Sequence, residues 1–206
     1  LWRPNPGVEG RGTLTAVDND FLFGNVSLAG QLGNKWRSEG GISISQNEDR
    51  FALGAENYGQ ENTLIHIKEK LTYYPSNQVK IRFGAETFLR DYAEIDLNHE
   101  RERGYQEVRS AGFSELEWYP SNDFTLKGGL RLGYSDLANQ WAIEPRIAAA
   151  CRIYEVGSIS FAGGLFSQPQ DNDYRLIASQ INNAEANHIQ LSFQHGSSER
   201  TFRLEV

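Results

Sequence analysis

The chain of 206 residues carries 27 acidic and 20 basic residues, for a net charge of −7. This acidic balance excludes general nucleic-acid binding, because phosphate backbones are bound by basic surfaces. The single cysteine excludes an internal disulfide framework, and no apolar run approaches the roughly 18 residues of a membrane-spanning helix. A membrane β-barrel stays open, since its strands turn only every second residue towards lipid.

Alternation of apolar and polar residues, the period of a β-strand, dominates the chain. In chain order the alternating stretches are 26–32, 42–45, 79–83, 124–134, 158–166, 188–194 and 201–206. No long stretch holds a helical period between capping residues, and the nearest candidate, 137–153, is interrupted by Pro145. The sequence therefore predicts an all-β, antiparallel fold of about ten strands, with no helix.

Two short stretches have the same turn sequence: YYPSNQ at 73–78 and WYPSND at 118–123. Between them, ten of the twenty residues in 90–109 are charged. Such a segment belongs in water, so the pattern predicts tight turns at one end of the sheet and a long charged loop at the other. Further tight turns are predicted at 154–158 and 195–199.

The alternation fits two architectures, a soluble sandwich and a membrane barrel. Legs of about 22 residues between the two Pro-Ser-Asn turns exceed the usual 5–6 residues of a sandwich strand. Aromatic side chains precede both turns, as at the interfaces of a membrane barrel: Tyr73, Tyr74, Trp118 and Tyr119. These features favour a transmembrane β-barrel with short periplasmic turns and longer extracellular loops.

Glu115 and Glu117 share one strand face, and the tight turn after Tyr119 returns Lys127 to a position opposite one of them. We expect an ion pair that faces the lumen, with either glutamate as the partner, because opposite charges across strands stabilise a polar face. The spacing of the two carboxylates also occurs in glycosidases, but the ion pair is the simpler interpretation.

No catalytic, cofactor or metal site is expected. The four histidines, His66, His99, His188 and His195, lack the spacing of metal ligands. The sequence places no base beside Cys151, which lies on an alternating apolar face and is expected to pack as a small apolar residue.

Four segments together resemble the barrel of TonB-dependent outer-membrane receptors. They are EWYPSNDFTLKGGLRLGYSD (117–136), EPRIAAACRI (144–153), SFAGGLFSQPQ (160–170) and ANHIQLSFQHGSSERTFRLEV (186–206), in the order seen in that family. The resemblance implies an importer with a barrel of about 22 strands, closed by an N-terminal plug. It also implies ligand binding at the extracellular side and a TonB complex that acts on the plug.

We expect residues 1–206 to be one barrel region, a fragment of a larger receptor in a bacterial outer membrane that imports a nutrient. The expected partners are outer-membrane lipids, an unidentified ligand and the TonB complex, reached through a plug that this chain lacks. Ligand contacts are expected from residues 90–109, 136–141 and 170–183. Two alternatives stay open: a passive pore or small stand-alone outer-membrane barrel, and a soluble β-sandwich binding module.

Overall fold

The computed structural model describes residues 14–53, 56–153, 157–177, 181–196 and 201–205. The chain forms ten consecutive strands, with one short helix, α1 (Asn172–Ile177), among the described residues. The strands are β1 (Leu14–Leu32), β2 (Trp36–Leu53), β3 (Glu56–Ser76), β4 (Val79–Asp96), β5 (Arg101–Ser121), β6 (Phe124–Ser135), β7 (Gln140–Ile153), β8 (Gly157–Gln168), β9 (Ala184–Gly196) and β10 (Thr201–Glu205).

Each strand pairs antiparallel with the next strand in the chain, so the sheet runs from β1 to β10 in sequence order. The predicted all-β, antiparallel fold of about ten strands is confirmed. Within the described residues β1 and β10 do not pair with each other, so the sheet is open at both edges.

The two Pro-Ser-Asn stretches form equivalent tight turns at the same end of the sheet, at residues 77–78 and 122–123. In each turn a serine hydroxyl accepts a bond of 3.3 Å from the backbone N–H two residues later: Ser76 from Gln78, and Ser121 from Asp123. The turn at 33–35 lies at this end as well. The turns predicted at 154–158 and 195–199 fall largely outside the described residues.

The charged segment 90–109 is not the long loop that was predicted. Strand β4 continues to Asp96 and β5 begins at Arg101, so the turn spans only residues 97–100. The hairpin is held by cross-strand contacts, including an ion pair of 2.7 Å between Arg103 and Glu94 and the ring pair of Tyr92 and Tyr105. Charges that pair across strands are compatible with a sheet in water.

Pro145 lies inside β7, where it pairs with Leu130 of β6. Its ring nitrogen has no hydrogen to donate to a neighbouring strand. Pairing between β7 and β8 runs from Ile153 only as far as Arg146, so it stops at the residue next to Pro145. The β8–β9 connection, which contains α1, reaches this side of the sheet, since Asn183 donates to the Gln140 side chain at 2.9 Å.

The sheet has one apolar face and one polar face, because residues in cross-strand register share a side. The apolar face carries Val26, Leu28, Leu32, Ile42, Ile44, Ile65, Ile67, Leu71, Ile81, Phe83, Leu89, Val108, Leu116, Leu126, Leu130, Leu132, Ile143, Ile147, Ile159, Phe161, Leu165, Ile189, Leu191, Phe193 and Leu204. The polar face carries most of the charged side chains of β4 to β7.

Burial is inverted relative to a water-soluble protein. Ile189 on the apolar face is 78% exposed, whereas Glu117 on the polar face is 1% exposed. The charged side chains that are buried are Glu107, Glu117, Glu144 and Arg175. The described residues form a single sheet, so helix α1 and neighbouring side chains of the polar face, rather than a second sheet, bury these groups.

Helix α1 packs against β5 on the polar face, and the expectation of a chain without helices was wrong. Six residues are too few to show a helical period in the sequence or to be stable alone in water. Tertiary contacts, above all those of Arg175, hold the helix in place.

Candidate functional site

A groove of about 910 Å³ lies on the polar face, with walls from β3 to β9. Its charged lining consists of Lys68, Glu86, Arg109, Glu115, Lys127, Arg131, Glu144 and Arg146. Five of these eight groups are cationic, although the whole chain is acidic. The charges form three clusters along the strands, one near the short turns, one in the middle and one beneath α1.

The cluster near the short turns is centred on Glu117, which contacts three cations. Its carboxylate lies 2.5 Å from Lys127 Nζ, 2.9 Å from an Arg82 nitrogen and 3.3 Å from Lys80 Nζ. The Tyr119 hydroxyl donates to the same carboxylate at 2.7 Å. One buried carboxylate is therefore shared by three positive side chains of β4 and β6.

Of the two glutamates considered from the sequence, the register places Glu117 directly opposite Lys127. Glu115 is opposite Gly129 instead, and its carboxylate pairs with Arg82. The tight turn contains a register irregularity between Trp118 and Ser121, which decides the pairing. All three predicted residues, Glu115, Glu117 and Lys127, thus meet on the polar face.

The middle cluster joins four strands through two carboxylates. Glu86 lies 2.8 Å from Arg131 and 3.4 Å from both Lys68 and His66. Arg131 also reaches Glu144 at 3.3 Å, and Arg146 approaches Glu144 at 2.8 Å. This chain of charges spans β3, β4, β6 and β7, so it fixes their relative positions on the polar face.

The cluster beneath α1 is centred on the ion pair of Glu107 and Arg175, which are 2.5 Å apart. Ser135 Oγ donates to Glu107 at 2.7 Å, and Arg175 donates to the Tyr105 hydroxyl at 3.3 Å. Tyr105 in turn donates to the Asn172 side chain at 2.7 Å. Burial lowers the pKa of Arg175, but the bonds to Glu107 and Tyr105 outweigh it and raise the pKa overall, so the guanidinium stays charged.

Sequence reasoning missed this cluster, because Glu107 and Arg175 are 68 residues apart in the chain. Both residues lie in segments that were expected to contact ligand: Glu107 in 90–109 and Arg175 in 170–183. The sequence signal was a lone arginine in a loop, which indicates nothing about its partner. The third expected segment, 136–141, comprises the β6–β7 turn at 136–139 and the first two residues of β7, and the Tyr134 hydroxyl donates to Asn139 at 3.0 Å.

The four predicted interface aromatics divide between the two faces. Tyr73 and Trp118 lie on the apolar face, and Tyr73 stacks on Trp36 with ring centroids 4.5 Å apart. The register and the contact with Glu117 place Tyr74 and Tyr119 on the polar side. Only one aromatic of each predicted pair therefore lies on the apolar face.

The apolar face ends in aromatic rings at both of its borders. Trp36, Tyr73 and Trp118 lie at the end with the short turns. Tyr134 and Trp141, with ring centroids 5.0 Å apart, lie at the opposite end. We call the apolar-face positions between these two rows the apolar belt. Along β6 it extends from Phe124 to Tyr134, about 33 Å of strand.

One charged side chain, Glu69, interrupts the apolar belt among the described positions of β2 to β8. It lies between Ile67 and Leu71 and is exposed. Ser38 Oγ donates to its carboxylate at 2.6 Å, and the carboxylate lies over Gly40, where a Cβ atom would collide with it. The Glu69 carboxylate has no cation within ion-pair distance in the described part of the chain.

The histidines and the cysteine do not form a catalytic arrangement in the described residues. His66 stacks on Phe88 with ring centroids 4.0 Å apart, and His188 meets Phe166 edge-on at 5.0 Å. His195 lies near the end of β9. Cys151 is exposed on the apolar face of β7, opposite Phe124 and Ile159.

His99 belongs to the group of described residues whose geometry would suit a metal ion. Ligand atoms of Glu56, Asp96 and His99 all lie within 4.8 Å of one another at the end opposite the short turns. The Asp96 carboxylate already accepts bonds from His99 and from the backbone of Asn98. Internal bonds account for this group, and we assign no metal to it.

No model of a known protein family matches this chain, and no curated protein matches it either. Within the described residues, the helix is too short and too polar to cross a membrane.

Proposed function

We propose that the chain is part of the wall of an outer-membrane β-barrel, in a TonB-dependent receptor that imports a nutrient. The inverted burial of the sheet carries this proposal. Large apolar side chains are exposed on the apolar face, and carboxylates and guanidinium groups are buried on the polar face. Lipid solvates the first set, and a polar lumen accommodates the second.

The dimensions of the apolar belt support a membrane location. About 33 Å of strand, tilted by about 35–45° in a barrel, covers a height of about 25 Å, which matches the apolar band of outer-membrane barrels. Aromatic rows such as Trp36 with Tyr73, and Tyr134 with Trp141, suit the two interfaces. A β-sandwich would need a second sheet against this belt, and the described residues form one sheet.

The open edges support a large barrel rather than a small stand-alone one. In lipid every backbone N–H and C=O needs a partner, and within the described residues β1 and β10 do not pair with each other, so each of these edges needs a strand beside it. The ordered resemblance of residues 117–206 to TonB-dependent receptors supports the same choice. In this arrangement the groove faces the lumen, and the β4–β5, β6–β7 and β8–β9 connections face the outside of the cell.

Nitroxide labels on β6 test the membrane location. In a Cys151→Ser background, single cysteines at Leu130 and Leu132 are labelled in the protein in lipid vesicles, with Gly129 and Gly133 as controls on the polar face. We expect electron spin resonance to show frequent collisions with oxygen at 130 and 132, and with a polar nickel complex at 129 and 133. Equal access of the nickel complex to all four positions would contradict the proposal.

Uptake separates the receptor from a passive pore. In cells that make the whole native protein, a receptor binds ligand but stops importing it when the proton gradient of the inner membrane is dissipated. A pore continues to admit solute under the same conditions, so uptake that continues unchanged would favour the pore.

Replacing Glu69 by leucine is expected to stabilise the protein in lipid by about 1–2 kcal/mol, because a carboxylate leaves the apolar belt. The matched control is Glu61→Leu, on the same strand and face but beyond the belt, where we expect little change. The measurement is unfolding by denaturant in vesicles. A loss of stability in Glu69→Leu alone would indicate that the belt at this point does not face lipid.

A further inference from the structure

The cluster beneath α1 contains more positive charge than its carboxylate balances. Glu107 faces Arg90 across the β4–β5 ladder and pairs with Arg175 at 2.5 Å. The Arg109 guanidinium is attracted by Glu107 and repelled by three cations, which are Arg175, Arg131 and Arg90. Glu86 and Glu144 are already shared with Arg131 in the middle cluster.

Arg109 is the unpaired member of this set. Within the described residues its guanidinium has no carboxylate within 4.0 Å and donates no side-chain hydrogen bond. Its contact is with the Phe88 ring, 4.8 Å from the centroid, and the Phe88 ring itself stacks on His66. This ring stack holds the guanidinium at the groove wall and leaves its donors unused.

Arg90 is the second cation of this cluster that has no carboxylate within ion-pair distance among the described residues. It donates to the amide oxygens of Asn62, at 3.1 Å, and Asn172, at 3.4 Å. Both Arg90 and Arg109 are half-buried, so water screens their repulsion less than it does on an open surface. Arg109 lines the groove, and Arg90 lies diagonally opposite it across the β4–β5 ladder. An anion bound by both would reduce this repulsion.

We propose that Arg109 and Arg90 bind an anionic group, a carboxylate or a phosphate, at the end of the groove beneath α1. The fixed fork of a guanidinium matches both groups in a bidentate manner. If the proposed import function is right, this inference names the class of ligand: a nutrient that carries carboxylate or phosphate groups. The excess of cations along the groove attracts such a ligand into an otherwise acidic protein.

Calorimetric titration of the whole native protein in detergent tests the site, with inorganic phosphate and citrate as probes and glucose as a neutral control. We expect the protein to bind phosphate or citrate, more weakly as sodium chloride is raised, and not glucose. Tighter binding of phosphate would assign the site to a phosphate group, and tighter binding of citrate to an organic carboxylate.

Arg109→Gln is expected to weaken binding of the preferred anion by about tenfold or more, through the loss of charge-assisted hydrogen bonds. Arg109→Lys keeps the charge but loses the fork, and it should restore part of the affinity and show that the site is folded. The matched control is Arg103→Gln, on the same strand and face but exposed and paired with Glu94, for which we expect a change of about twofold at most.

The inference is overturned if the native protein binds neither anion, or if Arg109→Gln and Arg103→Gln bind equally well. This readout is independent of the nitroxide experiment. If anion binding requires Arg109 but the nitroxide labels on the apolar face are accessible to the nickel complex, the membrane function is contradicted and the anion site is supported. If the apolar belt faces lipid but the protein binds no anion, the anion site is contradicted and the membrane function is supported.

Discussion

Replacing Glu117 by glutamine is expected to lower the free energy of unfolding by about 3–5 kcal/mol. Three cations converge on this carboxylate, and the residue is 1% exposed. A neutral amide leaves these cations facing one another with no anion at the centre. A carboxamide has nearly the same shape, so the loss measures charge rather than packing.

Glu115→Gln is the matched control, two residues away on the same strand and face. The Glu115 carboxylate is 40% exposed and pairs with Arg82 alone, so we expect a loss of about 1 kcal/mol or less. Both variants are unfolded with guanidinium chloride in vesicles and followed by tryptophan fluorescence. Equal losses in the two variants would show that the cluster is not centred on Glu117.

Lys127→Glu probes the same cluster from the partner strand. It places a second carboxylate directly opposite Glu117, and like charges at a cross-strand pair destabilise a sheet. We expect a lower yield of folded protein after refolding into detergent. An unchanged yield would count against the ion pair.

The features that the sequence predicted well depend on neighbouring residues. The period of two assigns Leu130 and Leu132 to one face and Arg131 to the other without knowledge of any partner strand. Pro-Ser-Asn sequences form the turns at 77–78 and 122–123 through hydrogen bonds that span two residues. Such local rules therefore predicted the strands, the faces and the end of the sheet where the tight turns lie.

The features that the sequence did not predict depend on register and on distant contacts. Whether Lys127 meets Glu115 or Glu117 is decided by the irregular register at the turn, which alternation does not reveal. The charged segment 90–109 was predicted to be a loop because each charge was considered without a partner on a neighbouring strand. In the sheet Glu94 meets Arg103 across the hairpin, so these charges are compatible with strands.

Helix α1 shows the same limit most clearly. It lies on the polar face through one ion pair that joins positions 68 residues apart, together with hydrogen bonds from Tyr105 and Arg90 to Asn172. None of these contacts leaves a periodic trace in the sequence. The part of the candidate site beneath α1 therefore required the structure.

Replacing Glu107 by glutamine is expected to release α1 from the polar face. If α1 stayed docked, Arg175 would be buried at 4% exposure without its carboxylate and repelled by Arg109. Removing one partner of a buried ion pair costs about 3–5 kcal/mol, most of it the penalty for the charge that is left. The helix has few other contacts. Undocking of α1 therefore costs less free energy than unfolding of the sheet, and it relieves the penalty of the unpaired charge.

Trypsin provides the readout, because it cleaves after arginine and the buried Arg175 is protected while α1 is docked. We expect rapid cleavage at Arg175 in Glu107→Gln and slow cleavage in the native protein. The control is Asp123→Asn, which breaks the exposed 3.8 Å pair with Arg152 and should leave cleavage at Arg175 unchanged. Protection of Arg175 in Glu107→Gln would contradict the assignment of the ion pair as the anchor of α1.

A double-mutant cycle separates the pair from its surroundings. Arg175→Gln removes the buried cation, so Glu107→Gln added to it should cost about 2 kcal/mol less than in the native background. Additive losses would mean that Glu107 acts mainly through Ser135 and the neighbouring cations instead. In that case α1 would be held by Tyr105 and Asn172, and a Tyr105→Phe variant, which loses the donor to Asn172, would show the cleavage at Arg175 expected of Glu107→Gln.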